Sequence, residues 1–164
     1  GKDNSAIKSS DADNVLLFWS GHGNKGELLW GDDDVITSKM ISEIFQEMAK
    51  EHKFRKMLCL IEACYSGSVA EKCENIPGLL MLTAANGNET SKADIYNNDL
   101  GVWMTNRFTS CLLDEIAKNP DIPLRELYYN LFQQTLGSHV SIYNANSYGS
   151  VYNNSMREYL GSNN

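Results

Sequence analysis

Short apolar runs that end abruptly in small or polar residues are the strongest pattern in this sequence. Met57–Ile61 is a continuous apolar run bounded by polar residues, as expected of a strand that is covered on both faces. Asn14–Trp19 has the same form, and Leu79–Thr83 repeats it later in the chain. The three runs predict three buried strands of one sheet.

Longer segments with helical periodicity separate these strands. Thr37 or Ser38 is a suitable cap for a helix that runs to about His52, and its apolar residues fall on one stripe. Those residues are Met40, Ile41, Ile44, Phe45 and Met48. Two further helices are predicted at Gly101–Lys118 and at Pro123–Leu136, the second with proline in its first turn. Strands that alternate with helices predict an α/β fold with a mostly parallel sheet and helices on both faces.

Shorter segments complete the predicted order of elements. Glu27–Trp30 is expected to be a short strand, Val69–Cys73 a helical turn, and His139–Tyr143 a last strand. Ala84–Asp99 is rich in Asn, Gly, Ser and Asp and is expected to be a polar loop. Because this loop follows a strand, it should border the same edge of the sheet as the ends of the first two strands.

Candidate chemistry is concentrated where two predicted strands end. The first strand leads into Ser-Gly-His-Gly at residues 20–23, and the second leads into Glu-Ala-Cys at residues 62–64. Parallel strands place their carboxyl ends at one edge of a sheet, which is where α/β proteins build their sites. A thiol and an imidazole at neighbouring strand ends form a nucleophile and its base. The pattern therefore predicts Cys64 as the nucleophile and His22 as the base.

Each half of this pair is weak evidence when taken alone. A lone Gly-His-Gly is more often a tight turn than a base, and a lone cysteine after a strand is more often a packing residue. His139 is the rival base, whereas His52, at the end of a helix, is assigned no catalytic role. The backbone N–H groups of Gly23 and Cys64 are candidates for an oxyanion hole, since glycine lets the backbone approach a bound peptide.

Five segments of the chain resemble the caspase-like cysteine peptidases, and in particular their legumain-type branch. The most specific is Ile61–Ser68, Ile-Glu-Ala-Cys-Tyr-Ser-Gly-Ser, which follows a predicted strand. The others are Ser20–Gly23, Thr83–Asn86 (Thr-Ala-Ala-Asn), Leu100–Trp103 (Leu-Gly-Val-Trp) and Ser138–Val140 (Ser-His-Val). The resemblance implies a cysteine endopeptidase with a caspase-like α/β/α sandwich, a Cys64/His22 dyad, and an oxyanion hole formed at Gly23 and Cys64.

The resemblance also implies strands that precede the histidine strand, and this sequence lacks them. Residues 1–164 would then be the C-terminal portion of a single caspase-like peptidase domain. Gly1 is interpreted as either a proteolytic neo-N-terminus or an artificial boundary. In the first case, the missing strands would form a noncovalently associated chain of the same precursor, and the cleavage could be autocatalytic. Any signal peptide would lie in the missing part. The usual location of the proteins that this chain resembles favours an extracytoplasmic location.

The resemblance assigns a pocket for the side chain before the scissile bond. The residues concerned are Glu62, Thr90, Ser91, Val102 and Trp103. Two departures from the legumain pattern weaken a preference for asparagine, because Val102 and Gly21 each stand where legumain has an aspartate. Glu62, together with Asp94 and Asp99, suits a basic side chain instead, because a desolvated arginine favours a paired carboxylate.

Composition adds few further limits. The chain has 164 residues, of which 42% are hydrophobic and 21% charged, an ordinary composition for one globular domain. The net charge is −7 and no basic stripe is present, which argues against nucleic acid or an anionic membrane as a partner. No apolar run approaches the roughly 20 residues of a membrane span. The predicted partner is a polypeptide substrate.

The cysteines and acidic residues give no sign of a metal. The four cysteines match no zinc motif and no dense disulfide framework. Cys59 and Cys111 are expected to be core residues, and a Cys64–Cys73 disulfide, which would silence the nucleophile, is the less favoured alternative. The acidic run Asp32–Asp34 lacks the spaced ligands of a calcium loop. No metal or organic cofactor is expected.

The same chemistry leaves other functions open. A transpeptidase or transamidase would form the same acyl-enzyme and deliver it to an amine, and the sequence does not separate water from an amine as the acceptor. A noncatalytic binding module of the same fold is a more distant alternative, because both dyad residues are present. A thiol redox protein is disfavoured, since Cys64 and Cys73 are too far apart for a Cys-x-x-Cys motif.

Overall fold

The computed structural model describes residues 8–31, 33–97 and 102–161, with the backbone alone for 93–97 and 102–105. The strands in these ranges are β1 (Asn14–Ser20), β2 (Gly23–Asn24), β3 (Glu27–Trp30), β4 (Asp34–Thr37), β5 (Lys56–Glu62), β6 (Leu79–Thr83), β7 (Ala93–Asn97), β8 (Val102–Asn106) and β9 (Ser141–Tyr143). The helices are α1 (Ser38–Lys50), α2 (Ser66–Ala70), α3 (Arg107–Lys118), α4 (Leu124–Gln134) and α5 (Ala145–Tyr148). Short 3-10 turns are found at Glu71–Cys73 and Met156–Tyr159.

A four-stranded sheet with the order β1-β5-β6-β9 forms the centre of the fold. The first three strands are parallel, and β9 is antiparallel to β6. Every residue of β6 is buried, and so is every residue of β5 after the first. Burial on both faces explains why these two strands are continuous apolar runs. The predicted α/β fold with a mostly parallel sheet is confirmed.

Alternate residues of the central strands face two separate cores. Met57, Cys59 and Ile61 of β5 pack in a cluster that includes the apolar side of α1. Leu58 and Leu60, between them, pack in a second cluster with residues of α3 and α4. This division follows from the two-residue period of a strand. Helices therefore cover both faces of the sheet, which gives the predicted α/β/α sandwich.

The helix predicted from Thr37 or Ser38 is confirmed as α1. Its cap is Thr37, whose hydroxyl accepts a hydrogen bond from the Met40 N–H at 3.2 Å. The helix ends at Lys50, slightly earlier than the sequence indicated. The cause is local, because His52 adopts a left-handed backbone with φ of 52° and is exposed to solvent.

The helix predicted at Gly101–Lys118 is wrong in its first part. Residues 102–106 form β8, which pairs antiparallel with β7, and α3 begins at Arg107. The predicted polar loop Ala84–Asp99 accordingly contains β7. The apolar run at residues 102–104 is so short that it fits a strand as well as a helix, so the local sequence pattern does not decide between the two. Backbone pairing between the two segments decides in favour of a hairpin.

The remaining differences concern the ends of elements. The helix predicted at Pro123–Leu136 is α4, with Pro123 just before its first residue. The helical turn predicted at Val69–Cys73 begins earlier, as α2, and continues into a 3-10 turn. The strand predicted at His139–Tyr143 is limited to β9, the three residues that pair with β6.

Two features are absent from the described ranges. No helix there is long and apolar enough to cross a membrane. No group of three or more His, Cys, Asp and Glu side chains there is placed so that it could hold a metal ion. None of the four cysteines forms a disulfide, and Cys64 is half-buried whereas the other three are buried.

Candidate active site

The parallel register of β1 and β5 brings the His22 and Cys64 segments together. Ser20 pairs with Glu62 at the end of the two strands, so His22 and Cys64 each lie two residues beyond a paired position. The Gly21 N–H extends this contact by donating to the Glu62 carbonyl at 3.0 Å. The structure therefore places the predicted nucleophile and the predicted base at the same edge of the sheet.

Gly23 shows how closely the two segments approach. A Cβ atom built on Gly23 would lie 2.5 Å from the Cys64 carbonyl oxygen and 3.1 Å from the Ala63 Cβ. Real Cβ atoms essentially never come as close as 2.5 Å to another heavy atom, and the atom met here is part of the backbone, so only glycine fits this position without a backbone shift. The glycine after the histidine thus allows direct packing of the hairpin that follows β1 against the cysteine turn.

The cysteine lies on a sharp turn between β5 and α2. Tyr65, the next residue, adopts a left-handed backbone with φ of 56°, and its N–H donates to the Glu89 carbonyl at 2.8 Å. Ser66 and Gly67 hold the turn from the other side, since the Ser66 hydroxyl and the Gly67 N–H both donate to the Ala85 carbonyl, at 3.2 and 3.0 Å. These bonds fix the position of Cys64 relative to the loop that follows β6.

Ser68 links the histidine hairpin to the cysteine turn. Its hydroxyl accepts from the Gly26 N–H at 2.7 Å and donates to the Tyr65 carbonyl at 2.6 Å. Gly26 lies in the turn between β2 and β3, so this one hydroxyl contacts both halves of the site. In the sequence, Ser68 stands out only as the last residue of the Ile61–Ser68 motif, and no local pattern marks it as a link.

The side chains of the predicted dyad are both accessible. His22 is exposed, and no described residue forms a hydrogen bond with its ring. The Cys64 Sγ lies 3.8 Å from the Ser91 Oγ, within range of a hydrogen bond that involves sulfur. Catalytic hydrogen bonds are often long or absent before substrate binds. The lack of a direct hydrogen bond between His22 and Cys64 among the described residues is therefore no argument against the predicted dyad.

Two backbone donors are available for an oxyanion. The Leu29 N–H donates to the His22 carbonyl at 3.0 Å, so these two residues form a hydrogen-bonded antiparallel pair. Gly23 and Leu28, the next pair, are then of the non-bonded kind, and the Gly23 N–H points away from β3. The Cys64 N–H has no acceptor among the described residues. Both N–H groups therefore remain available, as the predicted oxyanion hole requires.

Glu62 is fully buried beside the nucleophile. Its Oε2 accepts hydrogen bonds from the backbone N–H of Thr109, at 2.8 Å, and from the Thr109 hydroxyl. Its Oε1 is buried without a hydrogen-bond partner among the described residues. Burial raises the pKa of Glu62, and the two bonds from Thr109 oppose that rise. The site thus contains a carboxylate oxygen with unused capacity to accept hydrogen bonds.

The other predicted pocket residues are only partly described. Thr90 and Ser91 are half-buried in the loop after β6, and Ser91 is the one that contacts Cys64. Val102 and Trp103 lie on β8, but their side chains are outside the described part of the structure, and so is the side chain of Asp94. Asp99 lies outside the described residues.

His139, the rival base, is bound to another residue. Its Nδ1 lies 2.8 Å from the Glu89 Oε2, and its backbone N–H donates to the Glu89 Oε1 at 2.6 Å. The ring is exposed and faces the loop that follows β6. No local sequence pattern marks Glu89, because its partners Tyr65 and His139 lie far from it in the sequence.

Replacing Glu62 with glutamine is expected to change the stability of the protein by an amount that depends on pH. Because the pKa of Glu62 is raised above 4.5 in the folded protein, the carboxyl favours folding while it is protonated, and this benefit is lost as pH rises through the raised value. Glu62→Gln keeps an acceptor for Thr109 and carries no charge. We expect the stability of this variant relative to wild type to increase as pH rises through that pKa, in urea titrations at several pH values.

The control for this prediction is Glu126→Gln, which changes an exposed glutamate of α4. Its stability relative to wild type should be nearly constant over the same pH range, since surface substitutions of this kind have small effects. A Glu62→Gln variant whose relative stability fell with rising pH would show that the carboxylate is stabilised, not disfavoured, by its surroundings.

A protein with a solved crystal structure shares this fold. Caspase-1 from Spodoptera frugiperda superposes with a TM-score of 0.58 and 18% sequence identity, covering 84% of this chain and 62% of that chain. At this level of identity the likeness concerns the fold, which is caspase-like.

Sequence comparisons place the chain among cysteine peptidase-type enzymes. The GPI-anchor transamidase of Saccharomyces cerevisiae is 26% identical over 139 residues, 83% of this chain and 34% of that protein. Legumain from Homo sapiens is 30% identical over 142 residues, 84% of this chain and 32% of that protein. The chain thus spans about a third of the length of these curated relatives. The model of the peptidase C13 family matches residues 1–162, and the chain belongs to that family.

Proposed function

We propose that this chain carries the catalytic centre of an enzyme that opens a peptide bond through an acyl-enzyme on Cys64 and passes the acyl group to an amine. The observation that supports this most is the register of β1 and β5, which sets His22 and Cys64 equally far beyond paired strand ends. The substrate is a polypeptide, as the sequence predicted.

The proposed reaction divides into two transfers at one carbonyl carbon. His22 accepts the thiol proton as the Cys64 sulfur attacks the scissile carbonyl, and the resulting oxyanion is bound by the N–H groups of Gly23 and Cys64. The C–N bond then breaks, His22 protonates the leaving amine, and a thioester remains on Cys64. In the second transfer an incoming amine attacks the thioester, His22 takes its proton, and the sulfur leaves.

Transfer to an amine is supported by the relatives named GPI-anchor transamidase, which include proteins from Saccharomyces cerevisiae, Homo sapiens and Mus musculus. Amine attack on the thioester is also the chemical reverse of the step that releases the leaving amine. The same base and the same oxyanion donors serve both directions, so no further group is required.

Hydrolysis is the second candidate, and the likeness to legumain favours it. Water would replace the amine in the second transfer, with His22 again as the base, and the enzyme would act as an endopeptidase. The two candidates share every residue of the site and differ only in the acceptor that reaches the thioester.

Product analysis with an added amine tests the proposal. The wild-type protein is incubated with a peptide substrate and increasing glycinamide, and mass spectrometry measures the ratio of glycinamide adduct to free acid. Transfer predicts an adduct fraction that rises with amine until it dominates. Free acid alone at saturating amine would identify a hydrolase, and an absence of any cleavage across a broad peptide library would favour a noncatalytic module.

For the residue before the scissile bond we propose a basic side chain. The support is Glu62, a buried residue two positions before the nucleophile, whose Oε1 has no hydrogen-bond partner among the described residues. An arginine or lysine that reached it would gain a charge-assisted hydrogen bond. A panel of fluorogenic peptides that differ only in this residue tests the idea, with Glu62→Gln as the matched variant. Equal cleavage rates by the wild-type protein for peptides with arginine, lysine or asparagine at this position would contradict the proposed preference.

The outer edge of β1 is the proposed place for a further part of the protein. Within the described ranges no strand pairs with this edge, and Phe18 on β1 is 44% exposed. An unpaired edge of this kind invites another strand. We propose that strands from the same precursor, on this chain or on a noncovalently associated one, pair with it.

A further inference from the structure

We propose that Glu89, held by His139, is a positioning residue that fixes the loop after β6 against the cysteine turn. This inference rests on the proposed function of Cys64. It gives a role to the Ser-His-Val segment that the sequence singled out and that the dyad does not use. Glu89 is well suited to such a role because its side chain and its backbone contact different parts of the fold.

The Glu89 carboxylate gathers three donors. Its Oε1 accepts from the backbone N–H groups of Asn86, at 3.0 Å, and His139, at 2.6 Å, while its Oε2 lies 2.8 Å from the His139 Nδ1. The Glu89 side chain is 23% exposed, so these bonds are partly shielded from water. The carboxylate thereby joins its own loop to the segment that leads into β9.

The backbone of the same loop contacts the nucleophile turn. The Glu89 carbonyl accepts from the N–H of Tyr65, the residue after Cys64, at 2.8 Å. Two residues further on, the Ser91 Oγ lies 3.8 Å from the Cys64 Sγ. A shift of Glu89 would therefore move both a support of the cysteine turn and a residue of the predicted pocket.

The electrostatic surroundings keep Glu89 ionised. Burial raises its pKa, but the hydrogen bonds from Asn86 and His139 and the charge of His139 outweigh it, so the pKa is lowered overall. Glu71, which lies against Gly87, is a nearby group of like charge. Tyr143 is a neutral phenol, whose pKa is raised by burial and by the charges of Glu71 and Glu89. Lys92 packs its side-chain stem against Gly137, at the start of the segment that carries His139. The Glu89 carboxylate therefore remains able to accept all three hydrogen bonds.

Loss of this link should affect the binding of substrate more than the fold. The bonds that the Ser66 hydroxyl and the Gly67 N–H donate to the Ala85 carbonyl do not involve Glu89 and should remain in place when it is changed. The central sheet does not depend on the carboxylate. A displaced loop would instead misplace the pocket, and small displacements at a reacting centre have large kinetic effects.

The test compares Glu89→Gln, His139→Ala and the double variant, with Glu126→Gln as the control. Peptide kinetics are normalised to active sites that have been titrated with a peptidyl inhibitor. We expect KM to rise roughly tenfold in Glu89→Gln, and the double variant to be no worse than Glu89→Gln alone, because both changes break one link. A purely structural role would reduce the titrated fraction and leave KM unchanged, and either that result or strictly additive effects would overturn the inference.

A second readout separates this inference from the proposed function. The rate at which a peptidyl chloromethyl ketone alkylates Cys64 needs binding and a nucleophile but no turnover. Slower labelling in Glu89→Gln, with unchanged labelling by iodoacetamide, supports the inference even where wild type fails to turn over peptides. Wild-type turnover together with unaltered peptidyl labelling in Glu89→Gln would overturn the inference and leave the proposed function standing.

Discussion

Replacing Cys64 with alanine is expected to abolish turnover and leave the fold intact. The variant removes the only atom that could form the thioester, so we expect kcat to fall by at least ~10³-fold. The lost sulfur is half-buried and contacts the Ser91 hydroxyl, so the effect on stability should be small, at about 1 kcal/mol or less. Peptide cleavage assays and thermal unfolding measure the two effects.

Cys73→Ala is the matched control for this prediction. Cys73 is fully buried, and burial raises the pKa of its thiol to about 11, so it is a packing residue and not a nucleophile. Its replacement should lower stability and leave the activity per folded molecule unchanged. If Cys64→Ala retained measurable thioester chemistry, or if Cys73→Ala lost activity while folded, the assignment of the nucleophile would be wrong.

Gly23→Ala is expected to cause the second largest loss. The added Cβ would meet the Cys64 carbonyl oxygen at 2.5 Å, and a backbone atom cannot move aside as a flexible side chain can. The hairpin must therefore shift, which displaces both an oxyanion donor and the neighbouring His22. Since loss of one such donor costs roughly 10²–10³ in rate, we expect kcat to fall by about that factor.

Gly21→Ala tests whether this loss is specific to the position. Gly21 lies two residues away in the same segment, and its added Cβ would meet only the Trp19 side chain, at the ordinary distances of 3.4 Å to Nε1 and 3.9 Å to Cε2. We expect kcat/KM to stay within about threefold of wild type, as for a surface change that touches no critical contact. Equal losses in the two variants would show that the segment is merely sensitive to substitution, and that the close approach of Gly23 is unimportant.

The elements that could be predicted are those with a strong hydrophobic pattern in their own sequence. β5 and β6 were evident as apolar runs because strands covered on both faces need apolar residues at every position. β1 has the same apolar pattern, but among the described strands it is an edge strand that is only half-buried, with Phe18 exposed. The positions of His22 and Cys64 followed, since both come directly after those strands. The β7–β8 hairpin was missed, because its segments are short and lie among polar residues.

The links that hold the site together could not be predicted from local pattern. Ser68 contacts Gly26, and Glu89 contacts His139, so each bond joins segments that are distant in the sequence. A serine in a turn and a glutamate in a polar loop carry no mark of such partners. Gly67 is a further case, since an added Cβ would lie 2.6 Å from the Gly87 nitrogen, a constraint that only the folded loop reveals.

The most direct test of the account is a search for the acyl-enzyme itself. The wild-type protein is mixed with a slowly processed peptide ester, quenched with acid after a fraction of one turnover, and measured by intact mass spectrometry followed by peptide mapping. Acyl transfer through Cys64 predicts a mass increase equal to the acyl part of the substrate, located on Cys64. This adduct should be absent in Cys64→Ala, and it should be lost faster when an amine is added before the quench. An adduct on any other residue, or substrate conversion with no adduct on Cys64 at any time, would contradict this mechanism.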